Sequence, residues 1–129
     1  MTQSLPPSKY KIDELCSLYI GKKFLEINLH EGLYDVPTVE RILGKIEIYT
    51  KGKQFLTVIN CESAKTTFKA LRKMGQPNAM QYAVAKAYVI TTPHQKIMAN
   101  IFLMLFKPKK PVRFFRDTES AKEWLTQIH

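Results

Sequence analysis

Glycine is scarce and scattered: there are five among 129 residues, none grouped, so the chain has neither a phosphate-cradling glycine loop nor a dinucleotide fingerprint. Cysteine is scarcer still. Cys16 and Cys61 lack metal-ligand spacing, and with no other ligand motif in sight no metal and no cofactor is expected. Long hydrophobic runs are missing too: the densest, residues 97–106, is broken by Asn100. It is about half of the ~20 residues that a spanning helix requires. Residues 1–9 are polar, with two prolines and no apolar centre, which predicts a loose tail rather than a secretion signal. Two cysteines without a disulfide pattern then point to a reducing, cytoplasmic setting.

Acidic residues are outnumbered, 11 against 20 Lys and Arg, for a net charge of +9. Such a surface attracts anions at long range, yet lysines are also the ordinary means of keeping a small domain in solution. The basic residues are not interleaved with aromatics as on a single-strand platform, and no helix-turn-helix or zinc finger is present. Nucleic acid is therefore disfavoured as a partner.

What is present is periodic. Residues 14–20 and 24–30 are rich in Leu, Ile, Phe and Tyr around Gly21-Lys22-Lys23, which predicts a hairpin. Leu25, Ile27 and Leu29 alternate with polar partners, placing one apolar face on a core. Val39, Ile42, Leu43, Ile46 and Tyr49 recur at helical spacing between Pro37 and Gly52. Gly44 inside that helix costs ~1 kcal/mol relative to Ala, which close approach to a sheet would justify. Residues 55–59 form a short β-branched run suited to a central strand, and Ser63 is expected to cap the helix carrying Phe68, Leu71 and Met74. Residues 80–90 are ambiguous, and the strand is assigned to residues 87–90. Thr92-Pro93-His94-Gln95 is a helix start with the elements of a capping box, and Pro108 stops that helix. Residues 112–115 form a last strand, and Asp117 caps a helix with Ala121, Trp124, Leu125 and Ile128 on one side. The order is that of an α/β domain over residues 10–129: a single mostly parallel β-sheet with an N-terminal antiparallel hairpin strand and flanking helices.

The strand "PVRFF", the cap "RDTESA", the helix "KEWL" and the upstream "IMANIFLMLFKPKKP" resemble the C-terminal half of SpoIIAA-like, STAS-type domains. The resemblance implies a regulatory module with one sheet and helices around it. In regulatory members of that family a serine at a helix N-terminus, within an Asp-Ser-Ser-Gly signature, is phosphorylated to switch binding to a partner kinase. Ser63 stands in about that place, within Asn60-Cys61-Glu62-Ser63, but the signature itself is absent.

Ligands of parallel sheets gather outside the carboxyl ends of the strands, which makes Asn60, Cys61, Thr92, His94 and Arg116 the candidate ligand edge. Cys61 with His94 is the sharpest enzyme-like pair, because an imidazole can depress a thiol pKa, but no third orienting residue accompanies it. The expected role is thus non-enzymatic: a regulatory protein-interaction or small-ligand-binding module. Phe102, Leu103, Phe106, Lys107, Lys109 and Lys110 form a candidate interface or membrane surface, since the third helix is apolar nearly all around. A protein partner or a second copy is the first expectation for it. The alternative is a peripheral membrane protein that lays helix 93–107 on an anionic lipid surface.

Overall fold

Alternation in the first strands sets the architecture. A computed structural model describes residues 8–11 and 16–128, so most of the expected tail and the start of the first hairpin strand lie outside the described residues. Strands β1 (Ser8–Lys11), β2 (Cys16–Ile20) and β3 (Phe24–Leu29) pair antiparallel in sequence. Ser8 and Lys9, read from sequence as tail, instead form part of the edge strand β1, where the backbone pairs with β2 despite a polar sequence. Gly21 closes the β2–β3 turn, its N–H donating to Phe24 O at 2.9 Å.

From β3 onward the sheet is parallel. Strands β5 (Phe55–Asn60), β7 (Ala83–Val89) and β8 (Val112–Phe115) extend it to six strands in the order β1-β2-β3-β5-β7-β8. The strand assigned to residues 87–90 begins earlier, at Ala83, because Ala83, Ala85 and Ala87 are small enough to be fully buried within the sheet. Two three-residue strands, β4 (Gly32–Tyr34) and β6 (Ala64–Thr66), pair parallel as a separate small sheet.

Among the described residues four α-helices flank the six-stranded sheet. Helix α1 (Val36–Thr50) is capped by Asp35, whose carboxylate accepts from Thr38 N and Oγ1, and it ends in a left-handed turn at Lys51 and Gly52. Helix α2 (Phe68–Met74) is capped by Thr67, not by Ser63. The pairing of β6 with β4 delays the helix by four residues and leaves Ser63 in an exposed turn. Helix α3 (Pro93–Leu105) carries the expected capping box, and α4 (Thr118–Leu125) the expected Asp117 cap.

The core is divided by the sheet. On one face Ala121 and Leu125 of α4 pack on Val58, Ala85, Ala87 and Val89. On the other, α1 and α2 close over Leu25, Ile27, Ile59 and Tyr88, and α3 completes that layer with Ala99 and Phe102. Gly44 faces solvent, with nothing within 4 Å of where a Cβ would stand, so no close approach explains it. Gly75 is a glycine that packing requires: a Cβ there would lie 3.0 Å from Phe106 Cβ and 3.3 Å from Phe102 Cε1.

Candidate ligand cavity

Parity within one strand builds the site. In β7 the side chains of Ala85, Ala87 and Val89 lie against α4, so Lys86 and Tyr88 between them face the layer of α1, α2 and α3. There they meet an apolar cavity of about 120 Å³ walled by residues such as Ile27, Ile42, Ile46, Leu71 and Phe102. Lys86 is 2% exposed. Among the described residues its ammonium nitrogen has neither a hydrogen bond nor an ion pair, and it sits 5.0 Å from the centre of the Tyr82 ring and 5.5 Å from that of Tyr88. Burial lowers its pKa from 10.5 to about 7; the nearby Cys61 thiol opposes that shift and Lys110 adds to it.

The buried thiol and phenols of the cavity are held neutral. Burial raises the Cys61 thiol to about 12, only partly offset by Lys86, and pushes the Tyr82 and Tyr88 phenols above their ordinary range. Tyr88 also stacks on Phe114 at 5.0 Å between ring centres. Cys61 and His94 do line the same cavity, as their positions at strand and helix ends suggested. The pairing is not that of an activated thiol, however: the imidazole lies on an exposed side chain, and the thiol is pushed away from its ionised form.

Gln95 locks the roof. Its Oε1 accepts from Thr91 N and Thr92 N at 2.8 and 3.1 Å, while Nε2 donates to Glu62 O and Ala64 O at 2.8 and 2.9 Å. One buried amide thereby ties the start of α3 to the segment that leads into β6.

The remaining candidates scatter. Asn60 faces away from Cys61: its Nδ2 donates to Asn28 Oδ1 at 2.8 Å and its Oδ1 accepts from Thr118 Oγ1 at 2.9 Å, which anchors α4. Thr92 is occupied as the cap of α3, and Arg116 is exposed beyond β8 and does not line the cavity. Ser63, outside any helix N-terminus, has lost the electrostatic reason for being a phosphate site. Phe102 is a correction: at 2% exposure it belongs to the cavity wall, not to an outer surface. Lys110 is another, since its ammonium donates to Met80 O and Ala83 O at 2.9 and 2.8 Å and so braces the start of β7. Phe106 is half-buried between Phe102 and Phe68. Leu103, Lys107 and Lys109 remain exposed, and Leu103 is joined there by Ile97, Met104 and Leu105.

A family model matches residues 18–129. The chain belongs to DUF7793, a domain of unknown function. No curated protein matches this DUF7793 chain. Among solved structures it is similar to an uncharacterised protein of the DUF3478 family with a SpoIIAA-like fold from Shewanella loihica PV-4. The two are 13% identical with a TM-score of 0.60, over 97% of this chain and 99% of that one. The DUF7793 chain therefore has a SpoIIAA-like fold: a mixed six-stranded sheet, antiparallel at its N-terminal strands and parallel beyond, with four helices. No group of three or more His, Cys, Asp or Glu among the described residues could hold a metal, and no described helix is long and apolar enough to cross a membrane.

Sequence reasoning missed Lys86, Tyr82 and Tyr88. The signal that could have found them is a single lysine set among Ala83, Val84, Ala85, Ala87, Tyr88 and Val89, a charge in the middle of a strand too apolar to leave the core.

Proposed function

We propose that this chain is a non-enzymatic small-ligand-binding module whose site is the cavity between the sheet and α1, α2 and α3. The observation that carries the reading is an apolar chamber lined by a buried lysine whose amine has no hydrogen-bonding or ionic partner among the described residues. A void of about 120 Å³ is in the size class that accommodates a small ring or a short branched chain. Binding rather than turnover is favoured because burial holds the thiol near the amine protonated. A reducing, cytoplasmic setting suits two buried thiols.

Thermal unfolding in the presence of benzene, toluene or indole tests the reading. A bound ring stabilises the folded state by roughly 2.7 kcal/mol at a hundredfold excess over Kd, which reads as a saturable rise in Tm. Ala99→Leu, at a buried cavity-wall position, fills the space and removes the rise while circular dichroism stays unchanged. No saturable shift with any of the three overturns the proposal.

A second reading rests on the outer side of α3. Ile97 and Met104, seven residues apart, are 59% and 68% exposed, and Leu103, Leu105 and Phe68 are exposed with them. Such a surface suits self-association or a protein partner, with an anionic lipid surface as the alternative occupant.

A further inference from the structure

We infer that the cavity takes a small apolar monocarboxylic acid, its carboxylate paired with Lys86 Nζ and its hydrocarbon part packed under α1, α2 and α3. The inference rests on the cavity being a binding site and adds the chemistry of the occupant. Three observations meet in it. Lys86 is buried at 2% exposure and lines the cavity, with no hydrogen-bonding or ionic partner among the described residues. None of the described residues that line the cavity carries a carboxylate, so the protein supplies a cation and leaves its counter-ion to something else. Most of the remaining wall is hydrocarbon and aromatic, which a neutral polar ligand or a multiply charged anion would match poorly.

Every element around Lys86 bears this out. Cys61 at the end of β5 and Tyr82 and Tyr88 around β7 are protonated, neutral donors, held so by burial. Lys110, ahead of β8, is a second cation whose proximity disfavours charge on Lys86 until an anion arrives. Lys65 of β6 and His94 of α3 stand at the cavity with exposed side chains, and α1 and α2 contribute only apolar chains to the wall. A monocarboxylate entering past Lys65 and His94 finds the Lys86 amine, two phenols near it and, among the described residues that line the cavity, no competing carboxylate.

Proton linkage follows. Lys86, with a pKa of about 7 in the empty protein, is mostly neutral at pH 8. An acid bound as its carboxylate holds the amine protonated, so binding at pH 8 takes up close to one proton (~0.9) from the buffer. No such uptake accompanies a neutral ligand.

The experiment is calorimetric titration of the full chain with benzoate and with toluene at pH 8, in two buffers of different ionisation enthalpy, repeated on Lys86→Met. The expected result is benzoate binding with proton uptake, weakened about ten- to a hundredfold in Lys86→Met, with toluene binding in both proteins without uptake. Toluene binding without benzoate binding, or benzoate binding without proton uptake, overturns the acid and leaves the cavity standing. Failure of both ligands overturns the cavity as well. Proton uptake is measured on the unmodified chain, so the proposal remains decidable if Lys86→Met does not fold.

Discussion

Desolvation of a single ammonium group links the core of this protein to pH. Lys86 falls from 10.5 to about 7 on folding, so between those values the unfolded chain binds the extra proton and stability rises with pH, by at most ~1.4 kcal/mol per unit. Cys61, raised from 9.0 to about 12, acts the other way above pH 9, and the buried tyrosines join it above their ordinary 10.0. Urea unfolding should therefore show stability increasing from pH 7 to 9 and declining beyond. In Lys86→Met the first rise should vanish. At pH 6 that variant should exceed the parent by roughly 1–4 kcal/mol, because a charge has been replaced by a hydrocarbon of similar length. A parent whose stability is flat from pH 7 to 9 would mean that the amine finds a counter-ion or water in solution. The same desolvation holds the Cys61 thiol in its protonated form at neutral pH, although His94 lines the same cavity.

At the scale of elements, two glycines have opposite meanings that sequence alone did not separate. Gly44 touches nothing, so Gly44→Ala should stabilise the protein by about 1 kcal/mol through helix propensity alone. Gly75 is pressed against Phe102 and Phe106, so Gly75→Ala should destabilise it by roughly 1–3 kcal/mol through overpacking between α2 and α3. Chemical denaturation of the two variants side by side checks both signs. Long periodic segments were legible beforehand: α1, α3, α4, β3 and β5 fall where their spacing and caps put them. The small β4–β6 sheet was not, because three-residue strands are too short to show a period, and its presence moved the cap of α2 from Ser63 to Thr67. The cavity was half legible. Cys61 and His94 lie at the ends of elements, where ligands of parallel sheets gather, whereas Lys86 is mid-strand and gains meaning only when helices distant in sequence close over it.

The whole molecule presents two features of different character: an apolar cavity between sheet and helices and an uncovered outer stripe on α3. Lys107 and Lys109 follow that stripe, but Lys110 is turned inward to the backbone, which reduces the cationic cluster available to a membrane. Sedimentation of the full chain at micromolar concentration should reveal reversible dimers, lost in the double variant Leu103→Glu, Met104→Glu, while vesicles of anionic lipid should retain little protein. Monomers that co-pellet with such vesicles would reverse the order of the two readings. The division of β7 has a last consequence, for changes in chain length. Its Lys86 and Tyr88 serve the cavity, and Ala85 and Ala87 form the bed for α4. Inserting or deleting one residue within β7 would drive an ammonium group beneath a close-packed helix and turn alanines toward the ligand, ruining both faces at once. Tolerance for added length is thereby confined to the connections, such as residues 107–111 between α3 and β8.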